Sequence, residues 1–218
     1  MNDKKRTAFE VSRRGAFSLV GGAAFAAALP GTARAKPETL DHVKSAGQDA
    51  MFDPLTGLPN EALFCDRASM ILRLGHHDLT VAIIEIDHLE RIQPYRATTA
   101  DVIRTLVIVV MARRICRFAD MYPRSHTIGR LGEGQFGVLL ADAYPRSTQL
   151  KLEGLRRAIR APLKIGREMA FNASIGIMHN KNHSYKHDEL ITGARQAAAD
   201  ARQSGTGRIR FYDGTPIV

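Results

Sequence analysis

Two patterns of apolar positions alternate along the chain from about residue 53 onward. Apolar residues spaced three and four apart predict amphipathic helices, and short runs rich in Val and Ile predict buried strands. The predicted helices span 61–75, 98–118, 144–161 and 187–204, and the predicted strands span 79–86, 126–130, 135–141, 163–165, 169–178 and 209–212. Helices that alternate with strands in this way pack on one sheet, so the pattern predicts an α+β fold, an α/β sandwich with about five central strands.

Local signals predict where several of these elements begin and end. Asn60 is an N-cap residue for the first helix, and Gly166 predicts a turn between two strands. Residues 131–134 predict a glycine-containing hairpin. Upstream, residues 36–52 carry apolar positions near the helical period and predict a helical lead-in to the domain. The long helix at 98–118 is expected to bury an apolar face composed of Val102, Ile103, Leu106, Val109, Val110 and Ile115.

The first 35 residues have the three-part layout of an export signal. Residues 1–15 are polar and basic, 16–29 are apolar, and 30–35 end in a small-x-small triplet. The apolar run is shorter than the ~20 residues that span a bilayer, so no stable membrane span is expected. Residues 12–17 (SRRGAF) resemble a twin-arginine motif, which predicts export to the periplasm and cleavage after Ala35. The alternatives are an ordinary N-terminal helix on a cytoplasmic protein, and a protein held at the inner membrane by an uncleaved signal.

Composition and charge narrow the class of the remaining chain. The chain has 218 residues, 44% of them hydrophobic and two of them cysteines, which excludes a disordered chain and a disulfide scaffold. The net charge of +9 divides between +4 on residues 1–35 and +5 on residues 36–218. No basic stripe interleaved with aromatic residues is present, so nucleic acid is not an expected partner. Two cysteines, Cys65 and Cys116, do not establish a disulfide bond, and their pairing stays open.

Five segments in a fixed order carry a resemblance to a known family. Together they resemble the GGDEF domain of bacterial diguanylate cyclases, which join two GTP molecules into cyclic di-GMP. The resemblance extends over about 53–214 and implies a GGDEF or nucleotidyl-cyclase-like fold. The segments are 53–60 (DPLTGLPN, with Glu61 where an Arg commonly follows), 84–89 (IEIDHL), 130–136 (RLGEGQF), 173–177 (ASIGI) and 194–208 (ARQAAADARQSGTGR).

The resemblance implies a site for Mg²⁺ at the end of the first strand. In the family, divalent cations lie between a strand carboxylate and an acidic residue of the hairpin, and they assist attack on the α-phosphate. Glu85 stands at the strand position and is the implied metal ligand. The third and fourth hairpin positions, normally acidic, are Gly134 and Gln135. Glu133 lies one residue early and, because side chains alternate along a strand, substitutes as a catalytic acid only if the hairpin is distorted.

The nucleotide-binding positions implied by the resemblance are also altered. Gln93 stands where the family has Asn, and Asp101 keeps the second guanine contact. The family's glycines between them are missing, since residues 96–101 read RATTAD. Arg202 and Arg208 are the candidates for contacting phosphate, and the bland alternative is a solvated helix face.

Arg117 and Asp120 form the RxxD pattern that, in the family, binds cyclic di-GMP at an allosteric site. About six more residues separate this pattern from the hairpin than in the family. The alternative is an ordinary surface ion pair between residues three apart on a helix.

Three functions are therefore compared. The leading expectation is a degenerate, catalytically inactive GGDEF domain with a signalling or interaction role, whose partner is a protein or a second copy of the chain. The second is an active diguanylate cyclase that converts GTP with Mg²⁺ through Glu85 and Glu133. The third is a cyclic di-GMP receptor that uses Arg117 and Asp120.

Overall fold

The computed structural model describes residues 50–75, 78–120, 125–141, 145–165, 167–180 and 185–212. The predicted export signal and most of the predicted lead-in helix lie outside these residues. The described helices are α1 (Glu61–Arg73), α2 (Ala100–Asp120), α3 (Pro145–Arg160) and α4 (His187–Gln203), with a single 3-10 turn at Leu89–Arg91. The described strands are β1 (Thr80–Ile86), β2 (Ser125–Gly132), β3 (Gln135–Leu140), β4 (Leu163–Ile165), β5 (Arg167–Met169), β6 (Ala173–His179) and β7 (Ile209–Phe211).

Five of these strands form one mixed sheet, which confirms the predicted α+β fold. The strand order is β2-β3-β1-β6-β7, and every neighbouring pair is antiparallel except β6 and β7, which are parallel. β1 lies at the centre, where Glu85 has Gln135 of β3 on one side and Ser174 of β6 on the other. This register places the strand carboxylate beside the hairpin.

The sheet is covered on both faces by helices. Alternate residues of β1 point to opposite faces: Ala82, Ile84 and Ile86 pack with α2 and α3, whereas Val81 and Ile83 pack with α1 and α4. Cys65 of α1 and Cys116 of α2 therefore lie on opposite sides of the sheet, and both are free thiols. Their pairing, which the sequence left open, is absent from this structure.

The close approach of α4 to the sheet depends on residues without large side chains. Gly176 of β6 lies directly beneath α4, and a Cβ on it would overlap the Ala194 carbonyl oxygen and the Ala198 nitrogen. The buried face of α4 is correspondingly rich in alanine: Ala194, Ala197, Ala198 and Ala201. Small residues on both surfaces therefore let the helix backbone approach the sheet backbone closely around Ala194–Ala198.

The segment before α1 is held by one half-buried carboxylate, that of Asp53. Asp53 accepts hydrogen bonds from the Thr56 nitrogen at 2.8 Å and from Thr56 Oγ1 at 2.6 Å, and it forms an ion pair with Arg130 at 2.6 Å. Asn60 then caps α1, its Oδ1 accepting from the Leu63 nitrogen at 3.0 Å. The predicted cap is confirmed, and Arg130 joins this segment to β2.

Two sequence expectations were wrong. Val102 and Leu106 of the predicted apolar face are 50% and 43% exposed, whereas Ile103, Val107 and Met111 are buried. Eight of the ten residues from 102 to 111 are apolar, so periodicity alone cannot select the face that meets the sheet.

The second error concerns the predicted strand 169–178, which is two strands. Arg167–Met169 pairs with Leu163–Ile165 in a separate two-stranded ribbon, and Ala173–His179 joins the main sheet. Between them Phe171 turns into the core, and the Asn172 carbonyl accepts from the Asp87 nitrogen at 2.9 Å. Among the residues that the structure describes, no helix has the length and apolarity needed to cross a membrane.

Candidate functional site

The end of β1 and the β2–β3 hairpin meet at one edge of the sheet. Glu85 lies opposite Gln135, and the Ile86 nitrogen donates to the Gly134 carbonyl at 2.9 Å. The sheet therefore brings the predicted strand carboxylate next to the third and fourth hairpin positions. What those positions carry decides the chemistry available there.

The third hairpin position has a backbone conformation suited to glycine. Gly134 has φ of +72°, in the left-handed region that other residues adopt at a cost. A Cβ at this position would overlap Leu89 Cδ1, and Leu89 is itself buried. The space that a side chain would need at position 134 is thus occupied by an apolar one.

The two candidate catalytic acids face different arginines. Glu133 is 69% exposed, and its Oε1 lies 3.9 Å from Nη1 of Arg104, a residue of α2. Glu85 is 26% exposed, and its Oε2 lies 4.0 Å from Nη1 of Arg202. Glu133 and Glu85 thus lie beside arginines of different helices, α2 and α4.

Arg202 is shared between two carboxylates. Besides Glu85, its Nη2 lies 3.4 Å from Oε1 of Glu90 in the 3-10 turn. The pKa of Glu90 is held below its ordinary value, chiefly because the Glu90 backbone N–H bonds its carboxylate, with smaller contributions from His88 and Arg202. Sequence reasoning missed Glu90, although it directly follows the segment 84–89 that carried the resemblance.

A third carboxylate, Asp87, has a structural role. It is 2% exposed; its Oδ1 accepts from Ser174 Oγ and its Oδ2 from the Gly207 nitrogen, each at 2.8 Å. Arg156 of α3 donates to the Gly207 carbonyl at 3.0 Å. Asp87 therefore ties the end of β1 to the turn that follows α4, and its oxygens are already engaged.

The fourth hairpin position is linked to two charged residues. Arg195 of α4 donates through Nε to Gln135 Oε1 at 3.2 Å and through Nη2 to Glu61 Oε1 at 2.5 Å. Glu61 stands where the family commonly has Arg, and Arg195 stands where it has the Asp of the ADxA segment. In this chain the acidic residue of the pair is on α1 and the basic residue is on α4, the reverse of the family pattern. The sequence alone did not show that these two residues pair.

The remaining nucleotide-binding candidates are dispersed. Gln93 is exposed in the loop before α2. Asp101 is 83% exposed and its Oδ1 lies 3.0 Å from Nη2 of Arg104. Arg208 is exposed, and its guanidinium group lies beside Gly205 in the turn after α4. Arg96, which replaces a family glycine, keeps a positive φ of 53° and lies over the Tyr95 ring at 5.3 Å.

The RxxD residues lie at the C-terminal end of α2. Arg117 and Asp120 are both exposed, and across the described residues no ion pair involves either of them. Burial raises the pKa of the Cys116 thiol, and the Asp120 charge one turn later raises it further by a smaller amount.

The residues at the hairpin do not fit a pair of divalent cations. Mg²⁺ takes six oxygen ligands in near-octahedral geometry. The described part of the chain contains no group of three or more His, Cys, Asp or Glu side chains arranged to hold a metal. Gly134 offers no carboxylate, and the cationic Arg202 lies against Glu85.

Comparison with known proteins gives a consistent match. The family model "Diguanylate cyclase, GGDEF domain" matches residues 50–208. Diguanylate cyclase DgcP of Pseudomonas aeruginosa is 30% identical over 174 residues, which is 77% of this chain and 25% of that protein. Diguanylate cyclase TpbB of the same species is 27% identical over 177 residues, or 79% of this chain and 40% of that protein. The chain thus spans between a quarter and two-fifths of the length of these relatives.

Solved structures support the same fold. The GGDEF domain of TpbB from P. aeruginosa is 28% identical, with a TM-score of 0.65 over 74% of this chain and 94% of that one. The coiled coil and GGDEF domain of DgcB from Caulobacter crescentus, in complex with c-di-GMP, is 20% identical, with a TM-score of 0.68 over 78% of this chain and 90% of that one. Diguanylate cyclase SiaD of P. aeruginosa, in complex with its activator SiaC, has a TM-score of 0.65 at 21% identity over 77% and 64% of the respective chains.

Proposed function

This chain belongs to the GGDEF-domain family of diguanylate cyclases, and from this premise we propose its function. We propose that it does not form cyclic di-GMP and that it acts in cyclic di-GMP signalling by binding a ligand or a partner. The observation that carries the proposal is the hairpin tip. Gly134 offers no metal ligand at the position that the family pattern makes acidic, and Leu89 fills the adjacent space. Loss of one metal ligand in phosphoryl transfer removes several kcal/mol of transition-state stabilisation, and each ~1.4 kcal/mol is a factor of ten in rate.

The charges around the strand end support the same proposal. A nucleoside triphosphate is strongly anionic, and Glu85 and Glu90 would both face it from the end of β1. Arg202, a phosphate candidate from the sequence, already lies near both of these carboxylates. Without divalent cations to offset the repulsion, a triphosphate at this edge is electrostatically disfavoured.

The test is a cyclase assay on the full chain. The protein is incubated with GTP and either Mg²⁺ or Mn²⁺, and products are separated by reversed-phase chromatography, with the GGDEF domain of TpbB as a parallel control. We expect no cyclic dinucleotide. Product formation that disappears in both Glu85→Gln and Glu133→Gln would contradict the proposal and support the alternative in which these residues catalyse the cyclase reaction.

A cyclic di-GMP receptor is the second candidate, favoured by the exposure of Arg117 and Asp120 and by the lack of an ion pair to either of them among the described residues. Arginine binds phosphate through a planar fork of donors, and a carboxylate accepts from guanine. Calorimetric titration with cyclic di-GMP separates the candidates. The receptor function predicts a saturable isotherm that Arg117→Ala abolishes and that Arg113→Ala, an exposed arginine one turn earlier, leaves intact. A flat isotherm for the wild type leaves a protein partner or a second copy as the object of the interaction role.

Export to the periplasm through a twin-arginine signal is part of the proposal. GTP is a cytoplasmic substrate, so an exported domain has no supply of it, and this agrees with the altered site. Fusion of residues 1–40 to a reporter that is active only after export in the folded state tests the signal. We expect reporter activity for the natural sequence and none for the Arg13→Lys/Arg14→Lys pair; equal activity of the two fusions refutes the twin-arginine route.

A further inference from the structure

A groove runs along the outer edge of β7, the last strand of the main sheet. It has a volume of about 550 Å³ and is lined by Glu153 and Arg156 of α3 and by residues 207–211. Ile209 packs on the face of the sheet that meets α2 and α3, and Tyr212 packs on the face that meets α4. Because side chains alternate along a strand, the consecutive lining residues come from both faces of β7. The groove therefore follows the edge of the strand itself.

The backbone of β7 offers hydrogen-bonding groups along this edge. β7 is a terminal strand of the sheet and pairs with β6 on one side. The Arg208 carbonyl and the Tyr212 nitrogen each form a 2.8 Å hydrogen bond to β6, so the N–H and C=O groups of Ile209 and Phe211 between them point away from β6. Within the described part of the chain these groups form no hydrogen bond. An edge of this kind can pair with one more strand.

The charges along the groove determine which kind of segment can pair there. Glu153 is neutralised by Arg156, whose Nη2 lies 2.9 Å from Glu153 Oε2. Arg208 and Arg210 are exposed and form no ion pair with the described residues. Phe211, on the other face of the strand, is 39% exposed. A second copy of this edge would bring arginines against arginines, which destabilises a strand pair. The charge therefore favours an acidic segment over a second copy of the chain.

We propose that β7 is a docking edge for an extended segment of a partner protein in which acidic and apolar side chains alternate. The main chain of such a segment would bond to the outward N–H and C=O groups of Ile209 and Phe211. Its carboxylates would lie beside Arg208 and Arg210 on one face, and its apolar side chains would cover Phe211 on the other. The proposal rests on the interaction role in the proposed function, and it names the chemistry of the partner.

The test measures binding to the full chain by the fluorescence anisotropy of a short labelled peptide in which Glu and Val alternate. A block peptide of the same composition, with all its Glu before its Val, removes the alternation, and a peptide with Lys in place of Glu reverses the charge. The variant is Arg208→Glu/Arg210→Glu. Its matched control is Arg73→Glu/Arg113→Glu, which makes the same change in net charge at two exposed arginines outside the groove. Circular dichroism confirms that each variant is folded.

The expected result is saturable binding of the alternating peptide to the wild type and to the control variant. Binding to Arg208→Glu/Arg210→Glu should be at least about tenfold weaker, and the block and Lys peptides should bind the wild type at least about tenfold more weakly than the alternating peptide does. The proposal is overturned if the alternating peptide does not bind the wild type, in which case the arginines only keep the edge unpaired. It is also overturned if the block peptide binds equally well, which indicates attraction by charge alone, or if both double variants lose binding equally. Because no nucleotide is present, this result is independent of the cyclase assay, which alone decides whether the chain forms cyclic di-GMP.

Discussion

Replacing Gly134 with alanine should destabilise the domain through two separable contributions. The backbone at this position has φ of +72°, and the left-handed conformation costs a residue with a Cβ about 1–2 kcal/mol. The added methyl group also overlaps Leu89 Cδ1 in a buried site, and forcing a buried side chain to move costs about 1–3 kcal/mol. The two contributions together give an expected loss of about 2–5 kcal/mol. This loss lies below most of the range of about 5–15 kcal/mol that is typical of whole domains, so we expect the variant to remain folded.

Urea unfolding followed by far-ultraviolet circular dichroism measures the change. Gly132→Ala is the matched control, because a Cβ there would make only an ordinary contact of 3.8 Å with the Gln135 Cβ. We expect the control to fall within about 0.5 kcal/mol of the wild type. In a Leu89→Val background, which removes the overlapping Cδ1, the cost of Gly134→Ala should fall to the backbone contribution of about 1–2 kcal/mol.

Equal stabilities of the Gly134→Ala and Gly132→Ala variants would refute the reasoning. A cost that is the same in the Leu89→Val background as in the wild type would refute the steric part alone. The result also bears on function, because Gly134→Glu, which restores the family's acid, carries the same backbone and steric costs. We therefore expect that variant to remain without cyclase activity.

Three further predictions follow from the packing, the ion pairing and the buried thiols. Gly176→Ala should prevent soluble expression or cost more than about 3 kcal/mol, because its Cβ would overlap the backbone of α4; a melting temperature close to that of the wild type contradicts this. Glu61→Arg places two like charges together and should destabilise, while Glu61→Arg/Arg195→Glu should recover most of the loss; thermal melts of the single and double variants measure the coupling, which is absent if the losses add. Burial raises the pKa of the Cys65 and Cys116 thiols, so thiolate-specific labelling of the native protein should be slower at pH 8 than that of the urea-unfolded chain and should still be rising above pH 9; equal native and unfolded rates contradict the burial.

Much of the fold was predictable because the capping residues and the apolar patterns of single segments favour the same helices and strands that the structure contains. Asn60 caps α1, and the β-branched run before Asp87 forms the central strand. Prediction failed where local chemistry is ambiguous. Val102 and Leu106 are as apolar as Val107, and only the position of the sheet decides which of them is buried. The break before Ala173 was missed because Phe171 is apolar whether it lies in a strand or turns into the core.

The candidate site was predictable in its location but not in its electrostatics. The resemblance to the family implied that Glu85 lies close to the hairpin positions Gly134 and Gln135, and the strand register shows the same proximity. The partners of these residues come from elements far along the chain. Arg202 is 117 residues beyond Glu85, and Arg195 is 134 residues beyond Glu61.

The sequence by itself determined the family, the order of helices and strands, and the absence of an acid at the third hairpin position. Each of these depends on short segments of contiguous residues that can be recognised without the tertiary structure. The tertiary structure alone decided which charges meet. Close packing of α4 over Gly176 brings Arg202 to the end of β1, where it faces Glu85 and Glu90. Coulomb interactions depend on distances between side chains, and such distances exist only after the chain has packed.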